Sequence, residues 1–189
     1  DGAIGKLTVS GKCTLEQLYN HPNCPKLIKQ TLDTHVNWQM RCETPIHLAL
    51  NLKNKYLAFR AAMAVYDIED IEKDESIELI LSDDSTTSSM VRPTPSHTPI
   101  VATFVRMKLN GGIVEDCSIA ASGIEKRRIT QVNPKPLLGQ KLTIESTSKF
   151  ASQVSQQFAG FDDFYGSADY RKAMLKVTLE RALQEVLHE

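Results

Sequence analysis

A turn signal between two alternating segments constrains this chain more than any other feature. Residues 100–109 and 113–121 both alternate apolar and polar side chains, which is the pattern of a strand that buries one face. Between them lies Asn110-Gly111, a pair favoured in type I′ turns because both central residues of that turn need a positive φ. The sequence therefore predicts an antiparallel β-hairpin.

A second strong signal lies near the end of the sequence, where an aromatic-acidic loop leads into a helical pattern. Ser167 is a good N-cap, and Asp169 places a negative charge in the first turn, where the helix dipole favours it. The apolar residues that follow recur at helical spacing over a wide arc: Tyr170, Ala173, Met174, Leu175, Val177, Leu179, Ala182, Leu183, Val186 and Leu187. We expect a structural helix that is covered on more than one side and carries no catalytic group.

Weaker patterns in the remaining sequence predict further helices and strands. Thr14 and Gln17 form a capping-box pattern that predicts a short helix. Helices are also predicted at residues 54–65 and 148–158, and a strand at residues 77–81. Residues 82–99 contain two aspartates, a Ser/Thr cluster and three prolines, a composition that resists regular structure and marks an internal boundary.

Composition excludes several classes of function. The 189 residues are 41% hydrophobic with a net charge of -1, so nothing draws the chain as a whole toward nucleic acid or a membrane. No apolar run approaches a membrane span. The four cysteines show no C-x-x-C pairing, which is typical of a reducing cytoplasm, where we expect the protein to lie. The sequence begins at Asp1 rather than at a methionine, and we expect either a removed leader or a piece of a longer protein.

Motifs of known chemistry are missing from the sequence. The five histidines show no metal spacing, and neither the P-loop nor the G-x-G-x-x-G pattern occurs. The basic cluster at residues 125–128 indicates a solvated turn rather than a nucleic-acid site. A hydrolase that uses His97 would need a nucleophile and an acid brought close to it in space. From the residues alone we predict a soluble α+β domain without visible catalytic apparatus.

The C-terminal half resembles one family. The order of its hairpin, its basic pair, its Leu-Gly element and its final helix is similar to that of the flavoprotein subunit, or flavin domain, of the molybdenum hydroxylases, the xanthine dehydrogenase and carbon monoxide dehydrogenase group. The matching residues are Asn110-Gly111-Gly112, Arg127-Arg128, Leu137-Leu138-Gly139 and Gly166-Ser167-Ala168-Asp169-Tyr170-Arg171.

The first half resembles the second part of that family's flavin-binding domain. After an Arg-Asn pair the family carries a Thr-Ile-Gly-Gly-Asn turn, whose glycines let the backbone approach the flavin pyrophosphate. Here residues 44–48 read Thr-Pro-Ile-His-Leu instead. A proline removes an N–H and both glycines are gone, so a close phosphate cradle is hard to build. By resemblance, the candidate cofactor-binding residues are Thr44, Asn54 and Arg92.

The family's flavin domain opens with a half-domain that contains a Gly-Gly-Thr phosphate loop, and nothing in this sequence corresponds to it. We expect either that another polypeptide supplies this half-domain or that the protein does not hold FAD in the family manner. The resemblance makes FAD the possible cofactor, and we expect this chain alone not to bind it tightly. No metal site is predicted.

Together these signals predict an α+β fold in two lobes. Residues 1–82 would form a partial flavin-binding-domain-like lobe, and residues 86–189 a flavoprotein C-terminal-domain-like lobe with an antiparallel sheet and packed helices.

The resemblance implies a flavoprotein-subunit-like component of a molybdenum hydroxylase type oxidoreductase, relaying electrons via FAD with partner subunits. The alternative is a non-enzymatic relative that does not bind FAD and acts as an assembly or interaction module. Both interpretations imply a partner, either iron–sulfur and molybdenum cofactor subunits or a second copy of this chain.

Overall fold

The computed structural model describes residues 3–53, 55–94 and 97–188 of the chain. In chain order the elements are β1 (Ala3–Ser10), α1 (Leu15–Tyr19), α2 (Lys26–His35), α3 (Trp38–Glu43), α4 (Ile46–Asn51), α5 (Leu57–Ala64), β2 (Ser76–Ser82), β3 (Ser85–Val91), β4 (Val101–Asn110), β5 (Ile113–Ser122), β6 (Ile129–Val132), α6 (Ile144–Gln157) and α7 (Ala168–Val186). Among the helices of these described residues, none combines the length and the apolar run needed to cross a bilayer.

The strands form two antiparallel sheets. β1 pairs with β2, and β3, β4, β5 and β6 form a four-stranded sheet in sequence order. Within the larger sheet, Phe104 pairs with Ala120 and Val105 pairs with Ile119. The predicted hairpin and the predicted α+β class are confirmed.

The turn of that hairpin is shifted by one residue from the prediction. Asn110 pairs with Ile113 as a strand residue, so the central residues of the turn are Gly111 (φ 58°) and Gly112 (φ 80°). Both positive φ angles that a type I′ turn requires therefore fall on glycines, which adopt them without a steric penalty. The Asn110 side chain instead donates to Glu115 Oε1 at 2.7 Å.

The prediction that residues 82–99 lack regular structure was wrong for β3. This strand pairs with β4 along its whole length. Its polar side chains find partners in the fold: Thr87 is buried, and its hydroxyl donates to the carbonyl of Ala182 in α7 at 2.8 Å. A buried hydroxyl is tolerated where it is hydrogen-bonded, so tertiary pairing outweighs the composition of the segment.

The four-stranded sheet lies between two layers of helices. Because successive side chains of a strand point to opposite faces, Ala102, Phe104 and Ala120 join a core with α1, α2, α4 and α5. Val101, Val105 and Ile119 join a second core with α6 and α7. We keep the division into residues 1–82 and 86–189 as a proposal.

The last helix begins as predicted. Ser167 is its N-cap and accepts from the Tyr170 N–H at 3.2 Å, and Asp169 lies in the first turn. Its buried face differs from the expected stripe, since Tyr170 and Ala173 are exposed. The buried residues are Arg171, Leu175, Thr178, Leu179, Ala182, Leu183 and Val186.

Three other predicted elements can be compared directly. The capping box of Thr14 and Gln17 is confirmed at the start of α1. α5 begins at Leu57 rather than at residue 54, and α6 begins at Ile144 rather than at residue 148.

Candidate functional site

The structure places the three candidate cofactor residues as follows. Thr44 lies between α3 and α4, and its hydroxyl is 2.9 Å from the Tyr56 hydroxyl. Arg92 follows β3, is half-buried, and donates from Nη2 to Met90 Sδ at 2.9 Å. Asn54 lies outside the described residues.

The turn that would approach a flavin pyrophosphate is occupied by the chain's own backbone. Pro45 is the N-cap of α4 and brings no N–H. The Ile46 N–H donates to the carbonyl of Cys13 at 2.9 Å, and the His47 N–H donates to the carbonyl of Gly11 at 3.0 Å. The first two backbone donors of α4 are therefore used. With these two donors used and a proline before them, the residues present at this turn do not fit a dinucleotide pyrophosphate.

His47 reinforces this closure with its side chain. Its Nδ1 lies 2.9 Å from the same Gly11 carbonyl. Because a carbonyl only accepts, this contact requires the ring proton on Nδ1.

A cavity of about 600 Å³ opens elsewhere, at the junction of the two helical layers with the ends of β4 and β5. We call it the junction cleft. Its wall includes residues from both halves of the chain, among them His35, Tyr56, Ile100, Gly123, Phe161 and Arg171. Pockets of this volume are large enough for small ligands.

Arg171 holds one side of the junction cleft together. This side chain is only 3% exposed. Its Nη1 donates to the carbonyls of Ile100 (2.9 Å) and Gly123 (2.7 Å), and its Nη2 donates to Asp163 Oδ1 at 2.6 Å. The guanidinium also lies 4.1 Å from the Phe161 ring centroid. A planar guanidinium offers donors in several directions, so one residue joins two strand ends to the loop before α7.

Asp163 stays ionised beside Arg171. Partial burial alone would raise the pKa of Asp163, but the hydrogen bonds from Arg171 and from the Tyr165 and Gly166 N–H groups hold it below its usual value. The buried cation therefore has a charged partner. Sequence reasoning missed this pair, although an acid and an arginine on either side of a predicted N-cap were a usable signal.

His35, the last residue of α2, contributes a neutral ring to the junction cleft. Both of its ring nitrogens are buried without a hydrogen-bond partner among the described residues. Burial, and then the positive charge of Arg92, lower the pKa of His35 from 6.5 to about 4. At neutral pH the ring thus carries one unused donor and one unused acceptor.

The rim of the junction cleft is charged and partly strained. Lys55, Lys126 and Arg127 are exposed there, together with Glu125. Tyr56 (φ 54°) and Arg127 (φ 62°) adopt the left-handed backbone region that non-glycine residues rarely occupy. Such strain is often found at binding sites.

Other chemistry finds no support in the described part of the chain. No group of three or more His, Cys, Asp or Glu residues there could hold a metal ion. Burial raises the pKa values of the Cys24 and Cys117 thiols to about 12, so neither is a nucleophile at neutral pH. His97, the residue that a hydrolase would use, is exposed, and its Nδ1 lies 2.5 Å from the Thr94 hydroxyl.

Solved structures define the class of fold. Quinoline 2-oxidoreductase from Pseudomonas putida 86 matches 100% of this chain and 77% of its own, with a TM-score of 0.76 and 15% identity. Carbon monoxide dehydrogenase from Oligotropha carboxidovorans matches 96% of this chain and 75% of its own, with a TM-score of 0.79 and 16% identity. At such low identity these likenesses show the fold alone.

Sequence comparison identifies the family. Residues 90–186 match the family model of the CO dehydrogenase flavoprotein C-terminal domain, and the chain belongs to that family. The glyceraldehyde dehydrogenase medium chain of Sulfolobus acidocaldarius is 32% identical over 89 residues, which are 46% of this chain and 31% of that one. The match thus spans less than a third of that relative. The resemblance drawn from the sequence is confirmed.

Proposed function

We propose that this chain acts as one component of a molybdenum hydroxylase type oxidoreductase that relays electrons via FAD with its partner subunits. The observation that carries the proposal is the family match over residues 90–186, together with a fold shared along almost the whole chain. In this assembly, iron–sulfur and molybdenum cofactor subunits would be the partners, and the cytoplasm the location. Flavin chemistry would supply the electron transfer, while the protein contributes binding and orientation.

The closed turn at the start of α4 limits what this chain contributes to FAD binding. Since the N–H groups of Ile46 and His47 already donate to backbone carbonyls, they are not free for phosphate. Arg92, which is half-buried, would not replace them alone, because a single ionic contact near the protein surface contributes only about 0–1 kcal/mol. Micromolar binding needs roughly 8 kcal/mol. We therefore propose that another polypeptide provides the pyrophosphate contacts.

The same closure favours the second candidate function, a non-enzymatic assembly or interaction module that has lost FAD. Exposed aromatic side chains also support an interaction role. Phe164 is 96% exposed and Trp38 is 67% exposed, and large exposed aromatics are common anchors of protein interfaces.

Two measurements separate these functions. Tagged chain is captured from its native source, and the eluate is analysed for iron, for molybdenum and for the flavin absorption bands at about 375 and 450 nm. Co-eluting iron and molybdenum with flavin that survives desalting supports the electron-relay component. The two metals without flavin support the assembly module, and a monomer without either contradicts both.

The second measurement is a calorimetric titration of the isolated chain with FAD. We expect a dissociation constant weaker than about 1 μM, and little change in an Arg92→Ala variant. Submicromolar binding would contradict the closed-turn interpretation, while leaving the family assignment intact.

A further inference from the structure

The turn between β4 and β5 places a reactive side chain beside a reactive main-chain nitrogen. Asn110 is the only one of the chain's seven asparagines that precedes a glycine. Asparagine is a chemically labile residue, because the main-chain nitrogen of the following residue can attack its side-chain carbonyl carbon and close an unstrained ring. Glycine has no Cβ to shield that nitrogen, so the Asn110-Gly111 bond is the place in this sequence where the attack is least hindered.

The structure leaves the nucleophile of this reaction accessible. Asn110 and Gly111 are both exposed at the tip of the hairpin. A Cβ built on Gly111 would meet nothing within 4 Å, so water and base can reach its nitrogen. The Gly111 N–H donates no hydrogen bond to the described part of the chain, and its nitrogen is therefore not committed to the fold.

A carboxylate holds the side chain that would be attacked. Asn110 Nδ2 donates to Glu115 Oε1 at 2.7 Å, and Lys108 Nζ lies 3.1 Å from Glu115 Oε2. Hydrogen bonds from Asn110 and from Lys108 hold the pKa of Glu115 below its usual value, so this group is charged at neutral and alkaline pH. A charged acceptor holds an amide donor more firmly than a neutral one does. Glu115 therefore restricts the rotation that would bring the Asn110 carbonyl carbon onto the Gly111 nitrogen.

From this arrangement we propose that Asn110 is a site of spontaneous deamidation and that Glu115 slows the reaction in the folded chain. The Gly111 nitrogen gives its proton to base and forms a bond to Asn110 Cγ. The bond from Cγ to Nδ2 then breaks, and the amide nitrogen leaves as ammonia after it takes a proton from water. A second water molecule opens the cyclic imide at either carbonyl and yields aspartate or isoaspartate. The proposal goes beyond the electron-relay function and does not depend on FAD.

Both products would weaken the end of the hairpin. Either one replaces the amide donor of Asn110 by a carboxylate next to Glu115, and like charges at this distance repel. Isoaspartate also adds one carbon atom to the main chain at the position where Asn110 pairs with Ile113. Deamidation thus turns a hydrogen bond that closes the hairpin into a repulsion.

The test follows the purified chain in mildly alkaline buffer, both folded and unfolded in urea. Peptide mapping by mass spectrometry, with fragmentation that separates aspartate from isoaspartate, gives the rate at each asparagine. We expect residue 110 to react fastest in both states, and more slowly when folded than when unfolded. Asn133 is an internal control, because the nitrogen of Pro134 carries no proton and cannot form the imide. Faster reaction at another asparagine of the folded chain overturns the site, and equal rates at residue 110 in the two states overturn the protection.

Two variants test the role of Glu115. Glu115→Ala removes the acceptor of the Asn110 side chain and should speed deamidation of the folded chain roughly three- to tenfold. Lys108→Met is the matched control, since it breaks the ion pair with Glu115 but keeps the hydrogen bond from Asn110, and should change the rate less than about twofold. Circular dichroism establishes that both variants are folded. An unchanged rate in Glu115→Ala, or equal acceleration in Lys108→Met, would refute the protective hydrogen bond.

Discussion

Arg171 donates from Nη1 to the main-chain carbonyl of Gly123 at 2.7 Å, across 48 positions of sequence. The same nitrogen donates to the carbonyl of Ile100. Ile100 directly precedes β4 and Gly123 directly follows β5, and these antiparallel strands place the two carbonyls side by side. One guanidinium in the first turn of α7 therefore fixes where two neighbouring strands end.

Replacing Arg171 should destabilise the fold. Arg171→Met keeps much of the side-chain volume but removes the guanidinium donor from the Ile100 and Gly123 carbonyls and the charged partner from Asp163. We expect a cost of about 2–4 kcal/mol. Arg171→Lys keeps the charge but not the forked geometry, and should recover only part of this loss. Urea unfolding followed by circular dichroism gives both values. Full recovery by lysine would mean that charge alone, rather than hydrogen-bond geometry, explains the role of Arg171.

Gly123→Ala should be far more damaging than Gly139→Ala. Both glycines have a positive φ, 86° and 74°. A Cβ at Gly123 would lie 1.9 Å from the Ile100 carbonyl oxygen, whereas at Gly139 it would meet nothing within 4 Å. We expect a loss of about 4 kcal/mol or more for the first and about 1–2 kcal/mol for the second. Equal losses of unfolding free energy would show that backbone conformation, and not the close approach, decides the requirement for glycine.

The hydroxyls of Thr103 and Thr178 should prove energetically coupled. They lie 2.8 Å apart, both side chains are fully buried, and Thr178 Oγ1 is also 3.3 Å from the Leu175 carbonyl. Thr178 can donate to that carbonyl and accept from Thr103. Thr178→Val should therefore leave the Thr103 hydroxyl proton without an acceptor. We expect it to lower the free energy of unfolding by about 1–3 kcal/mol, more than Thr103→Val does. A double-mutant cycle should give a coupling energy of about 0.5–1.5 kcal/mol. If the losses of the two single variants simply add, the two hydroxyls do not stabilise each other.

The stability of the protein should fall in mild acid partly because of His35. Its pKa is lowered from 6.5 to about 4 in the fold. Between these two pH values the unfolded chain binds a proton that the folded chain does not, so stability decreases as the pH falls and flattens below about 4. His35→Phe should reduce this loss, as measured by urea unfolding at several pH values from 7.5 to 4. If the stability of the two proteins falls equally with pH, the acid sensitivity belongs to other groups.

Local sequence signals predicted those elements whose residues determine their own conformation. The hairpin and the start of α7 depend on alternation, on glycines in the turn and on Ser167 as a cap, all of which act over a few residues. β3 was missed because its Ser/Thr-rich sequence gains its partners only in the folded chain, where Thr87 meets Ala182. The Asn-Gly pair predicted the hairpin but placed its turn one residue too early, because the adjacent Gly111 and Gly112 adopt both positive φ angles.

The candidate site could not be predicted in the same way. Thr44 and Arg92 were chosen by resemblance, and their roles toward a cofactor stay predictions. The junction cleft is assembled from segments as far apart as His35 and Arg171, and no local pattern relates them. Burial of Arg171 likewise depends on carbonyls and on a carboxylate that only tertiary structure brings to it.

The position of α7 in the chain has a consequence for biosynthesis. Of all the elements described, this 19-residue helix is the last to leave the ribosome, yet it covers one face of a sheet whose strands are complete much earlier. Until then, Val101, Val105 and Ile119 on that face lack their final cover, and exposed apolar strands of nascent chains are prone to aggregate. Cellular yield should therefore depend on how quickly translation of α7 follows that of β6, or on a chaperone that shields the sheet in the interval.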